Sequence, residues 1–373
     1  MAMKPGGNIQ GQRVSPFAVT FVLPGRNRSG GNRVTVDMAS ALQRRGHRVR
    51  IACRSSPRFE LRNWKRELRA IPRRLGRAIL HLTGWSNDDW VQTFAGSVEA
   101  YQKLEELRFV RGEIVVAVGS FTIEDVRRLQ GHVLKIRYCH GFQEHNPEWM
   151  QEVWSGSMPT ISVTRTMVPR LEEYSGEKVI DVVPNGVQAS EYYSEQRTRD
   201  GIGTIYGTHS AKAPGFTLDL LDRISKRWPG VPTYVFGMGP RPRSIPRSRY
   251  WRLPSVEKAR ELYNRSKVWL VTSAHEGFGL PILEAMACGC AVVSTRTLGA
   301  LELVEDGRNG LLVPVGDAEA FLTRIEKLLC DDAYRLALTD AGSQTPRQFT
   351  WELAAAKMEA VLGRLMLGGG GCQ

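Results

Sequence analysis

The chain reads as an α/β protein of two doubly wound, Rossmann-like domains. Three observations predict this. Its 373 residues suffice for two domains of ~150 residues each. Short β-branched or aromatic runs alternate with amphipathic helical stretches, the pattern of parallel strands joined by crossover helices. The pattern also restarts after Pro184-Asn185-Gly186, which puts the boundary near residues 184–191.

The elements follow in order. A buried strand is predicted over 17–23, stopped by Pro24-Gly25. The turn Arg28-Ser29-Gly30-Gly31-Asn32 comes next, and Val34, Met38 and Leu42 then step by four, so a helix should run from near Asn32 to Gly46. A strand over 47–53 completes a strand–helix–strand unit, the beginning of a doubly wound sheet. Further strands are expected over 114–118 and 133–138, joined by a helix over 122–129. In the second half the strands fall at 203–206, 233–236, 268–272, 291–294 and 310–313, with helices at 216–227, 256–264 and 281–287. A last helix, 351–365, follows the second sheet. The expected division is a flexible start over 1–15, an N-terminal domain over 16–185, a C-terminal domain over 186–346, a terminal helix over 347–367, and a flexible tail over 368–373.

Composition is that of a globular protein, 42% hydrophobic and 24% charged, which excludes disordered and collagen-like classes. No apolar run approaches the ~18 residues a membrane span needs. The polar, Gly-rich start has no apolar core, so no secretory leader is expected. The six cysteines (Cys53, Cys139, Cys288, Cys290, Cys330, Cys372) form no CxxC pair, and Cys288 and Cys290 have no histidine nearby. They read as reduced, buried thiols of a cytoplasmic protein rather than as metal ligands.

Charge is the unusual feature. Lys and Arg number 51 against 38 acidic residues, a net +13, and residues 1–183 hold 28 of the basic residues against 18 acidic ones. Such a chain is drawn to polyanions. Residues 54–77 carry nine basic and two acidic side chains, while Leu61, Trp64, Leu68, Ile71, Leu75, Ile79 and Leu82 recur at steps of three and four. This is one apolar stripe on a helix that Pro72 breaks or kinks. The flanking Arg62, Lys65, Arg66, Arg69, Arg73 and Arg74 form an expected polyanion or acceptor surface. The stripe suits an anionic membrane face, a phosphate backbone, or packing against its own domain. A second basic stretch, 241–252, has five arginines and no acid, and reads as a loop leading into a short strand.

The chemistry is concentrated in residues 275–289, His275-Glu276-Gly277-Phe278-Gly279-Leu280-Pro281-Ile282-Leu283-Glu284-Ala285-Met286-Ala287-Cys288-Gly289. A strand ends, a glycine loop turns, and Pro281 sits where a helix begins. Free amides and the positive end of that helix favour a phosphate. Glu284 lies one turn further on, about 4–5 Å along the axis, where a carboxylate can take the hydroxyls of a ribose. A nucleoside diphosphate is the ligand these residue types fit.

The spacing Glu276-x7-Glu284 within EGFGLPILEAMACG resembles the motif of the retaining glycosyltransferases of family 4, whose GT-B fold implies two Rossmann-like domains facing across a cleft and a C-terminal helix that crosses back. The resemblance extends to residues 23–32, to Pro184-Asn185-Gly186-Val187 and to 305–314, and is weakest over 54–110. It implies a nucleotide-sugar donor, UDP- or GDP-linked, held by the C-terminal domain and an acceptor held by the N-terminal one. By the same resemblance Glu284 binds ribose, Glu276 sits by the donor sugar, and the amides of Gly277, Phe278, Gly279 and Leu280 hold the phosphates. Gly30 and Gly31 face the diphosphate from the other domain, and His140 lines the sugar site. The family's Arg–Lys pair after the first strand of this domain is reduced to Lys212 in Gly207-Thr208-His209-Ser210-Ala211-Lys212-Ala213, with His209 or Arg241 as candidates for the missing cation. Lys212 is expected to stabilise the leaving diphosphate. No Asp-x-Asp occurs, so no metal and no cofactor are expected. The implied reaction is front-face, with Glu276 and Glu284 binding rather than serving as a glycosidase acid–base pair. A lipid-linked or cell-surface glycan acceptor at the inner membrane face fits the basic stripe. A hydroxymethylated DNA base fits the same charge, and a non-catalytic binding protein is a third reading.

Overall fold

The computed structural model describes residues 15–55, 89–142, 147–195 and 197–368. The basic-stripe residues Arg62, Lys65, Arg66, Arg69, Arg73 and Arg74 lie outside the described residues, as do most of the start and tail expected to be flexible.

Runs such as Ile114-Val115-Val116-Ala117-Val118 are buried at every position, as a parallel strand covered on both faces requires. The first sheet contains β1 (Ala18–Leu23), β2 (Arg48–Arg54), β3 (Ser97–Tyr101), β4 (Ile114–Val118), β5 (Leu134–Cys139), β6 (Thr160–Ser162) and β7 (Asp181–Val182), in the order β3-β2-β1-β4-β5-β6-β7. Its helices are α1 (Gly30–Arg44), α2 (Ser120–Arg128), α3 (Pro147–Trp154) and α4 (Val168–Ser175). The second sheet runs β10-β9-β8-β11-β12-β13, from β8 (Gly201–Ile205), β9 (Thr233–Gly237), β10 (Tyr250–Arg252), β11 (Ser266–Val271), β12 (Ala291–Thr295) and β13 (Leu311–Val313). It is dressed by α5 (Pro214–Arg227), α6 (Val256–Arg265), α7 (Leu280–Ala287), α8 (Leu298–Leu303), α9 (Ala318–Cys330) and α10 (Asp332–Gly342). The paired strands of both sheets are parallel. Each sheet reverses its winding direction beside its first strand, between β1 and β4 and between β8 and β11, where doubly wound sheets open a crevice at their carboxyl ends.

The last helix, α11 (Trp351–Gly368), returns to the first sheet and packs on α1. Arg45 pairs with the buried Glu359, and Arg364 and Lys357 pair with Asp181 at 2.6 and 3.3 Å. Val187 bridges to Thr350, and its N–H donates to Phe349 O at 2.8 Å. A Cβ on Gly186 would lie 2.4 Å from the Trp351 nitrogen, so only glycine lets this crossing strand and helix touch.

Two expectations are corrected. Helix α1 begins at Gly30, not near Asn32, because Ser29 is its N-cap and accepts from the Asn32 N–H at 3.3 Å. The two glycines are therefore the first helical turn rather than a turn before it. Cys330, at the end of α9, is exposed, whereas Cys53, Cys139, Cys288 and Cys290 are buried as expected. Its neighbour Leu328 takes the inward position of that last turn.

Candidate functional site

The carboxyl ends of the two sheets face each other across a cleft of about 580 Å³. On the C-terminal side, β11 runs out at Val271 and the chain turns through Ser273 and Glu276 to the glycine loop. Gly279 caps α7 in the left-handed region, at φ 95°, and Pro281 occupies the first turn. Among the described residues, the N–H groups of Gly277, Phe278 and Gly279 make no hydrogen bond, so they are free for a ligand. The Phe278 ring is buried and meets Phe349 edge-on at 5.8 Å, so this residue offers its backbone.

Glu276 accepts from Ser273 Oγ at 3.1 Å and pairs with Lys212. Lys212 comes from the short turn Ser210–Lys212 after β8. That turn is tied to the Glu276 loop, because Ala211 O accepts from the N–H groups of both Ala274 (2.9 Å) and His275 (3.1 Å). The next residue, Ala213, is held at φ 46°, a conformation costly for a residue with a Cβ. Of the two candidates for the missing cation, His209 lines the cleft, with Nδ1 accepting from Ala211 N at 3.2 Å. Arg241 is instead committed to the carbonyls of Pro242 and Ile245 in its own loop.

Glu284 is buried on the first turns of α7. Its Oε2 accepts from Tyr263 OH at 2.7 Å, and its Oε1 from Arg33 Nη1 at 3.1 Å. Burial raises its carboxyl above the ordinary range, opposed by the Arg33 charge and the Tyr263 hydrogen bond. Arg33 also donates to Tyr192 OH and Glu191 Oε2, at 3.1 and 2.8 Å.

The N-terminal wall carries Gly30 and Gly31 at the opening of α1, with Arg28, Arg33 and Trp90 beside them. A Cβ on Gly30 would meet nothing within 4 Å, so its surroundings are open space facing the cleft. His140 follows β5. Both its ring nitrogens are buried and lack a hydrogen-bond partner among the described residues, and Tyr138 meets the ring edge-on at 4.2 Å. Burial pushes the imidazole down to about 3, so it is neutral at ordinary pH. The walls touch at this point: a Cβ on Gly277 would sit 2.0 Å from His140 O. Thr166 Oγ1 donates to Leu298 O at 2.7 Å, and Arg165 N to Glu302 Oε2 at 2.9 Å, stitching the same seam.

Glu276, His140, Lys212, Gly30, Gly31, Gly277, Phe278, Gly279, Leu280 and Glu284 thus line one cleft. Sequence reasoning missed Arg33, Trp90, Tyr192 and Tyr263, together with Asn185, whose buried Oδ1 has no partner among the described residues. Arg33 lies between the glycine turn and the apolar stripe of the helix, and nothing local signals that it reaches across to Glu284.

Comparison with known proteins follows the same division. Residues 28–191 match the family described as Glycosyltransferase Family 4, and residues 202–331 the family described as Glycosyl transferases group 1. The chain is 30% identical over 174 residues to a D-inositol 3-phosphate glycosyltransferase of Corynebacterium urealyticum, over 42% of this chain and 41% of that protein. It is 40% identical over 91 residues to the O-antigen chain mannosyltransferase B of Escherichia coli, over 24% of this chain and 23% of that one. The chain therefore spans less than half the length of these curated relatives. Among solved structures, Anabaena Alr3699/HepE in complex with UDP and glucose superposes with a TM-score of 0.69 at 15% identity, over 93% of this chain and 100% of that one. Sucrose-phosphate synthase from Thermosynechococcus elongatus gives 0.66 at 15% identity, over 94% and 100%. At that identity the likeness is one of fold.

Proposed function

The chain belongs to the group 1, family 4 glycosyltransferases of GT-B fold, and from that premise we propose that it moves a sugar, with retention, from a UDP- or GDP-sugar to a hydroxyl of a lipid-linked or cell-surface glycan. The observation that carries this reading is the convergence of Lys212, Glu276, Glu284 and the first turns of α1 and α7 on one cleft. In this reading the ribose hydroxyls donate to Glu284. The diphosphate lies between the amides of Gly277 to Leu280 and the first turn of α1, where both helix dipoles favour negative charge.

As the glycosidic C–O bond breaks, its electron pair goes to the diphosphate, and Lys212 faces the charge that develops there. The acceptor oxygen bonds to the same face of the sugar carbon and passes its proton to the departing phosphate oxygen. Glu276, held by Ser273, orients the donor sugar. His140 is neutral and offers one ring N–H and one acceptor nitrogen to sugar hydroxyls, so its role is hydrogen bonding. The chain has no Asp-x-Asp, and the lysine and amides do the work a metal does elsewhere.

The acceptor class is supported by two relatives, a lipopolysaccharide core biosynthesis glycosyltransferase of Rhizobium meliloti, 44% identical over 78 residues, and the O-antigen chain mannosyltransferase B. Among the described residues no helix is long and apolar enough to cross a membrane. The test is nucleotide release from UDP-, GDP- and dTDP-sugars with lipid extract, hydroxymethylated DNA or no acceptor. Release from one UDP- or GDP-sugar, raised by the lipid extract, is expected. Stimulation by the modified DNA instead would overturn the acceptor, and binding without release would overturn catalysis.

A further inference from the structure

Arg33 occupies an unusual position. It stands on α1 of the N-terminal domain, yet its guanidinium reaches Glu284 of the C-terminal domain at 3.1 Å and Glu191 of the connecting segment at 2.8 Å. Asp37, one turn along α1, lies 3.8 Å from its Nε. The guanidinium is packed between Trp90 and Tyr192, 5.0 and 5.3 Å from the ring centroids, and the side chain is only 16% exposed. A planar group with five fixed donors can span these partners at once, which a lysine ammonium cannot.

We propose that Arg33 is a positioning residue for the nucleotide site: from the opposite domain it fixes the Glu284 carboxylate that receives the ribose, so the donor site is complete only when the two domains are apposed. This rests on the donor reading of Glu284 given above. A carboxylate has about four acceptor sites, so Arg33 and the Tyr263 hydroxyl leave room for ligand hydroxyls. The groups facing Glu284 are Arg33 and Asp37 from α1, Glu191 and Tyr192 from the connecting segment, Tyr263 from α6, and Cys288 at the end of its own helix. Within this set Arg33 is the cation. Burial, Glu191 and Asp37 all favour protonated Glu284, and a protonated carboxyl is a weaker acceptor than a carboxylate.

The test compares wild type, Arg33→Met, Glu284→Gln and the double variant in thermal unfolding from pH 6 to 9, with UDP and GDP binding measured at both ends. Loss of Arg33 raises the Glu284 carboxyl further above its unfolded value, so its contribution to stability is present at low pH and is lost as pH rises. Arg33→Met should therefore lose more melting temperature between pH 6 and 9 than the double variant, by roughly 2–4 °C per pKa unit. Its nucleotide affinity should be about tenfold weaker at pH 6 than at pH 9, while wild type changes by less than about threefold. Equal pH slopes with and without Glu284 would mean that Arg33 only packs, and would overturn the proposal. Wild type binding neither nucleotide would overturn the ribose role, while the melting series, which needs no ligand, still decides whether Arg33 governs Glu284. Should Arg33→Met fail to fold, Arg33→Lys keeps the cation without its reach, and the same comparison is expected at lower amplitude.

Discussion

His140 and Gly277 show how single residues set the cleft. Burial holds His140 down at about 3, against an ordinary 6.5, so the folded protein keeps it neutral where the unfolded chain would protonate it. A depressed pKa gives stability that is present above about 6.5 and is lost as pH falls toward 3. His140→Gln should flatten that part of the acid-unfolding profile, read by circular dichroism, while the activity profile between pH 6.5 and 8 keeps its shape. A new activity limb in that range would contradict the neutral role. Gly277 is needed for a different reason: its Cβ would strike the backbone carbonyl of His140, which cannot swing aside as a side chain would. Gly277→Ala should therefore part the two walls and cut turnover by at least about tenfold, at a cost of only about 1–3 kcal/mol in stability. Steady-state rates alongside urea unfolding check this, and an active variant would show that the seam is not closed during reaction.

At the scale of elements, α11 closes the molecule. Trp351, Met358 and Leu362 are buried against the first sheet's side, and Glu359 is buried against Arg45, with His47 Nε2 at 3.4 Å. Glu359→Ala takes the buried partner from Arg45, whose side chain is 37% exposed and so stays solvated, and should cost about 1–2 kcal/mol, read as a lowered denaturation midpoint. A loss below about 0.5 kcal/mol would mean that the tie is solvent-screened. These elements also show what a sequence discloses. The strand over 114–118 was legible to the residue because continuous apolar burial leaves an unbroken β-branched run. Thr160–Ser162 and Asp181–Val182 were not, since two or three residues cannot display a periodicity. The start of α1 is not legible because Ser29 caps it, so glycines that normally break helices sit in its first turn. In the site, Glu284 stands out through its spacing from Pro281, and Glu276 and Lys212 through the resemblance to the family's motifs. Arg33, Tyr192 and Tyr263 do not, because their contacts to Glu284 arise only when α1, α6 and the connecting segment fold onto α7.

For the whole molecule, two parallel sheets present their carboxyl ends to a common cleft, whose cations come from both domains and whose carboxylates, Glu276 and Glu284, come from the C-terminal one. In the proposed reading the donor is held mainly by one domain and completed by the other. The most direct test of the central claim is to measure binding and turnover of one nucleotide-sugar by wild type, Lys212→Ala and Glu284→Gln side by side. Lys212→Ala should bind within about threefold of wild type yet turn over about 10²–10³-fold more slowly, because its charge matters most as the diphosphate departs. Glu284→Gln should instead bind about tenfold or more weakly, having lost a charged acceptor for the ribose. Unchanged binding and turnover in both variants would contradict the assignment of this cleft as the donor site.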